Sequence, residues 1–204
     1  MKGYMRIVVL AALFCVSAFA RGNDRTGADE TEFVLVEAES FVQKGGWCVD
    51  QQFMDQMGSP YLIAHGMGVP VEDATTSVQL KKGLWNVWVR TYNWTSPWTD
   101  KEGPGAFSLS VGGKALKTVL GTTGSEWGWQ HAGAVRVRGG KTEIRLHDLT
   151  GFDGRCDAVL LVSGASSPKL LTSGEGLDEF RKGLSGAVAP VREKFDFVVV
   201  GGGI

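Results

Sequence analysis

The eleven residues 84–94, LWNVWVRTYNW, constrain this chain most. Extended, they put Trp85, Val87 and Val89 on one side and Asn86, Trp88, Arg90 and Tyr92 on the other, because side chains alternate across a strand. The same texture recurs in FVLVEAE (33–39), YLIAH (61–65), TTSVQL (75–80), AFSLSV (106–111), KALKTVL (114–120), GAVRVR (133–138), KTEIRLHD (141–148) and DAVLLV (157–162). Gly112-Gly113 and Gly139-Gly140 read as hairpin turns, and Lys81-Lys82-Gly83 as a further turn. About eight or nine short strands with no helical pattern between them predict an antiparallel sandwich.

Composition agrees: 204 residues suffice for one core plus tails, and 29 glycines with seven tryptophans suit short strands joined by tight turns. The net charge is −1, and Lys and Arg are scattered along the chain. That distribution excludes an evident footprint for nucleic acid or an anionic membrane.

The N-terminus predicts export. Lys2 and Arg6 precede an apolar run, Ile7 to Ala20, that is short for a membrane span, and Ala18-Phe19-Ala20 offers a cleavage site after Ala20. The expected product is periplasmic, cell-surface or secreted, with no stable membrane insertion once the signal peptide, residues 1–20, is removed. Residues 21–32 form a polar lead-in. Cys48 and Cys156 then remain, and both a bridge and two buried thiols are consistent with the sequence.

After the sandwich, residues 33–163, the texture changes. Residues 164–194 are a Pro- and Gly-containing linker in which LDEFRKGL has the length of two helical turns. FDFVVVGGGI, 195–204, is a continuous apolar run into glycines, as in a strand buried on both faces of a parallel sheet. Gly201 and Gly203 match the first two glycines of a Gly-x-Gly-x-x-Gly turn. The wording DFVVVGGGI resembles the opening of FAD-dependent oxidoreductases of the glutathione-reductase type. That resemblance implies a Rossmann-type domain begun but not completed here, with Gly201 and Gly203 as cofactor-binding residues and FAD as cofactor of the full-length protein, not of this fragment.

A second resemblance spans about residues 33–163. VLVEAESF, GLWNVWVRTYNW, TTGSEWGWQHAGAVRVRGGKTEIRL and FDGRCDAVLLV occur in the order seen in carbohydrate-binding modules with the galactose-binding-like jelly roll. It implies an all-β jelly-roll fold, a polysaccharide or oligosaccharide partner and a structural calcium ion held by Glu37, Glu39 and Asp157. The residues themselves also permit Glu37 and Glu39 to share a solvated strand face. The stretch 44–74 departs from those modules.

Candidate ligand contacts are the indoles of Trp94 and Trp98, which bracket a polar turn-rich segment, and Trp47, which follows Gly45-Gly46. Loop indoles stack on sugar faces, and Arg90 or Asn93 would bond hydroxyls. Asn93-Trp94-Thr95 also matches a glycosylation sequon. His65, His131 and His147 have no metal spacing, Asp148 and Asp153 fit turn chemistry, and no catalytic triad or carboxylate pair is evident. The expected function is a non-catalytic glycan-binding or accessory module of an exported flavoenzyme. The alternatives are a domain that packs on the flavin domain without touching sugar, or an accessory domain of a polysaccharide lyase or glycoside hydrolase.

Overall fold

The computed structural model describes residues 31–164. The expected signal peptide, most of the expected lead-in, nearly all of the expected linker and Gly201 with Gly203 lie outside the described residues. In chain order the elements are β1 (Phe33–Glu37), a 3₁₀ turn (Ala38–Ser40), β2 (Cys48–Asp50), α1 (Met54–Met57), β3 (Tyr61–His65), β4 (Ala74–Leu80) and β5 (Gly83–Thr91). There follow β6 (Phe107–Val111), β7 (Lys114–Ala115), β8 (Gly128–Val137), β9 (Gly140–Asp148) and β10 (Phe152–Ser163). Every strand pair is antiparallel.

The strands form two layers. One sheet runs β2-β3-β10-β5-β8 with β1 also on β10, and the other runs β4-β9-β6-β7. β10 carries two partners along one side: its first half pairs with β3 and its second half with β1. The core between the layers joins Trp85, Val87, Val89, Val159 and Leu161 to Val78, Leu109, Ile144 and Leu146, so the alternation in 84–94 holds. This is the antiparallel sandwich that the pattern predicts, and the jelly roll that the resemblance to carbohydrate-binding modules implies.

Gly112-Gly113 is a two-residue hairpin turn, with φ of 57° and 74°, between the paired Val111 and Lys114. Positive φ at both central positions is what such a turn requires. Gly139-Gly140 is not a hairpin. β8 pairs with β5 whereas β9 pairs with β4 and β6, so these glycines, at φ of 88° and 92°, carry the chain from one sheet to the other. Turn glycines report a reversal of direction, which crossing between layers needs as much as a hairpin does.

Two bulges aim the outer-face side chains. Val87 pairs with Gly133 but Trp88 with His131, which leaves Ala132 as the extra residue. The shift lets Ala132, Val135 and Val137 face the core while Trp127 and Trp129 remain on the outer face. A second irregularity, between Cys156 and Ala158, frees Asp157 from the ladder next to Arg90. The outer face is itself apolar: Leu35, Ala158, Leu160 and Val162 are buried there against Phe33, Trp88 and Trp129. No helix among the described residues is long and apolar enough to cross a membrane.

Candidate functional site

The aromatic side chains gather at one end of the sandwich, where β5, β9 and the start of β10 meet. On leaving β5, the Asn93 carboxamide oxygen accepts the Thr95 amide at 3.2 Å and hydroxyl at 2.9 Å, and the Asn93 carbonyl accepts the Ser96 amide. Thr95 in turn accepts the amides of Trp98 and Thr99. A Cβ at position 103 would overlap the Asn93 carboxamide, so glycine is needed there for the loop to close. These bonds fix the loop that presents Trp94 and Trp98.

Neighbouring loops are tied to it. The Asp148 carboxylate accepts the amides of Val71, Thr150 and Gly151, joining the β3–β4 loop to the β9–β10 turn. The Thr150 hydroxyl donates to Pro104 at 2.6 Å. Asp148 thus does turn chemistry, and Asp153, at φ 59°, places its carboxylate 2.6 Å from His65 Nδ1.

On this frame the Trp94 indole N–H donates to the Phe152 carbonyl at 3.0 Å, and its ring meets Trp98 edge-on with centroids 6.2 Å apart. The Arg155 guanidinium stands 5.4 Å from the Trp94 centroid, within cation–π range. Trp98 is 77% exposed, Phe152 48% and Met67 84%, and the Phe152 ring rests against Gly68. Large apolar side chains this exposed, clustered on ordered loops, mark a contact surface.

A nest of rings lies beyond it on the outer sheet face. Trp127 stacks on Tyr92 with centroids 5.4 Å apart and meets Tyr61 and Phe53 edge-on at 5.0 and 5.7 Å. An open cleft of about 580 Å³ runs over these rings, rimmed by Asp55, Gln56, Ser125 and Glu126. Burial pushes the Tyr61 phenol up to about 12, an effect that Arg155 partly opposes.

The expected ligand residues separate accordingly. Trp94 and Trp98 come together on the surface. Trp47 does not join them: it is buried in the main core, edge-on to Phe107 at 5.6 Å, because Gly45, at φ 55°, turns the chain inward against Glu72 and Asp73. Arg90 is also buried, its guanidinium 2.8 Å from Asp157 and 5.8 Å from the Trp127 centroid. Asn93 is buried and spends its side chain on the loop, which also withdraws the sequon.

Glu37, Glu39 and Asp157 do lie in one region, since all three carboxylates raise the pKa of the Cys156 thiol. However, Asp157 is fully buried, gives Oδ2 to Arg90 and accepts the Ser59 hydroxyl on Oδ1. Among the described residues no group of three or more acidic, His or Cys side chains stands close enough to hold a metal ion. Cys48 and Cys156 are free thiols. They face opposite environments on β2 and β10, separated by the whole of β3.

Phe53, Tyr61, Trp127, Phe152 and Arg155 were not singled out by the sequence pattern. The four aromatic residues had aromatic density as their signal and Arg155 had none, and the contacts that gather them span residues 53 to 155.

Comparison with protein-family models and with curated proteins gave no match. Solved structures do match in shape. The GH26-CBM35 β-(1,4)-mannanase of Podospora anserina is similar over 67% of this chain and 28% of its own, with 20% identity and a TM-score of 0.51. A family 35 carbohydrate-binding module from Clostridium thermocellum is similar over 65% of this chain and 98% of its own, with 18% identity and a TM-score of 0.50. At such identities the likeness is one of fold: this chain carries the sandwich of carbohydrate-binding modules, spanning nearly all of the second structure and just over a quarter of the first.

Proposed function

We propose that the sandwich is a non-catalytic glycan-binding module whose ligand stacks on the face made by Trp98, Trp94 and Phe152. The observation that carries this reading is the 77% exposure of Trp98 on a loop held by side-chain and backbone hydrogen bonds. A ring left in water on an ordered support has its entropy cost already met, and a sugar face is apolar with a polar rim. The fold likeness to a module joined to a β-(1,4)-mannanase makes β-(1,4)-mannan the first polysaccharide to try. Trp98→Ala should weaken retention on insoluble mannan or another neutral polysaccharide by about tenfold, the scale of one stacking contact, without lowering the melting temperature. Failure of the unmutated chain to bind any polysaccharide in a broad panel would refute the reading.

A second reading, in which the sandwich packs on a further domain, is favoured by the half-buried indoles of Trp88 and Trp129 on the outer sheet face. That the further domain is a flavin-dependent oxidoreductase rests on FDFVVVGGGI alone, and Gly201 and Gly203 lie outside the described residues. A longer gene product that takes up FAD would support it. Export rests likewise on residues 1–20.

A further inference from the structure

Lys and Arg look scattered in the sequence, but the fold draws four of them to the end of the sandwich opposite the tryptophans. β9 runs from Lys141 at this end to Asp148 at the aromatic end, and β5 likewise runs from Gly83 towards Tyr92. Here the edge strand of each sheet leaves a cleft of about 590 Å³, lined by Lys114 of β7, Arg136 near the end of β8, Arg138 in the turn after it, and Lys141 of β9. The buried side chains of Val111 and Val137 contribute to its wall.

Among the described residues, the charges in this cleft are uncompensated. Its one carboxylate, Glu143, is held by Arg145 at 2.8 Å, so it offers little to the four cations. No ion pair among the described residues engages Lys114, Arg136, Arg138 or Lys141. Lys114 instead donates to the Arg136 carbonyl at 2.8 Å, which bridges the β7 and β8 walls and holds one cation at the cleft. In a chain of net charge −1, four unpaired cations around one concavity form a local positive field.

We propose that this cleft binds an anionic polysaccharide, with Arg136 and Arg138 on its carboxylate or sulfate groups. Guanidinium groups pair with such oxyanions through two parallel hydrogen bonds. The size suits a small ligand segment. The site is separate from the aromatic end, so its ligand need not be the one that Trp98 contacts.

Affinity electrophoresis of the full chain tests this with polygalacturonate, dextran sulfate, unsubstituted dextran and polyphosphate. Retention by polygalacturonate or dextran sulfate, but not by dextran, is expected; the two anionic gels tell carboxylate from sulfate recognition. Binding should weaken about tenfold or more when salt rises from about 50 to about 500 mM. Arg136→Gln with Arg138→Gln should weaken it about tenfold as well, whereas Trp98→Ala should leave it unchanged. Lys114→Gln with Lys141→Gln carries the same test if the arginine variant fails to fold. The proposal is overturned if neither anionic glycan is retained at low salt, if the folded charge variants bind as before, or if polyphosphate is retained equally well.

Discussion

Arg90 and Asp157 meet at 2.8 Å with side chains only 1% and 0% exposed, on the outer face of the larger sheet between the ring nest and the apolar patch. An ion pair so far from water is costly to halve, because the survivor keeps its desolvation penalty without its partner. Asp157→Ala is therefore expected to destabilise the fold by about 3–5 kcal/mol. Arg90→Met combined with Asp157→Leu should recover most of that loss. Urea unfolding of the three proteins checks both statements, and a single variant as stable as the parent would contradict them.

Calcium provides a separate test of the same region. With Asp157 engaged by Arg90 and Ser59, calcium at about 5 mM should not raise the melting temperature, nor EDTA lower it. A clear calcium-dependent rise, lost in Glu37→Gln or Glu39→Gln, would instead place a cation among the three acids.

The thiols should behave independently. Cys48 pairs with Ile63 and Cys156 with Leu62 on opposite sides of β3, which puts them about two strand spacings, ~9–10 Å, apart. A disulfide needs Cα atoms within about 7 Å. Burial, with help from Asp157, Glu39 and Glu37, drives the Cys156 thiol well above its ordinary pKa, so little thiolate forms there. Peptide mapping after iodoacetamide should show Cys48 alkylated in the native protein and Cys156 only after unfolding. A Cys48–Cys156 crosslinked peptide would refute this.

Tyr61 sets an alkaline limit. Its pKa rises from 10.0 to about 12 on folding, chiefly through desolvation, so between these values the folded chain holds a proton that the unfolded chain has lost. The contribution is intact below pH 10 and is lost as pH climbs towards 12. Stability should fall over that window by on the order of 1–2 kcal/mol less steeply in Tyr61→Phe than in the parent. Absorbance titration at 295 nm should show one tyrosine ionising late in the native protein. Normal titration of all tyrosines would be inconsistent with a buried phenol.

The periodicity of residues 84–89 made the core face of β5 legible, and the same two-residue repeat gave β4, β6 and β9 nearly to the residue. β10 was seen only from Asp157 onward, because Phe152–Cys156 has no alternation of hydrophobic and polar residues. β2 and α1 were missed altogether: three and four residues are too few to show a period, and they are held by β3 and the ring nest. The site was half visible. Indoles in a polar loop announced Trp94 and Trp98, whereas Trp47 had the same local appearance and entered the core, since only the tertiary partner Phe107 distinguishes them. The basic cleft was invisible because its four cations come from three different strands and a turn.

The pairing of β1 with β10 has a mechanical consequence. Phe33 lies opposite Val162 and Glu37 opposite Ala158, and the Ser163 amide bonds the Glu32 carbonyl at 2.9 Å, so the two flanks of the sandwich emerge side by side. Tension applied between those flanks would load the rungs one after another from the Phe33–Val162 end, as in opening a zipper, rather than all at once in shear. Stretched through both flanks, this sandwich would yield at low force by peeling β1. Pulled through Trp98 and one flank instead, the load would pass across the whole sandwich.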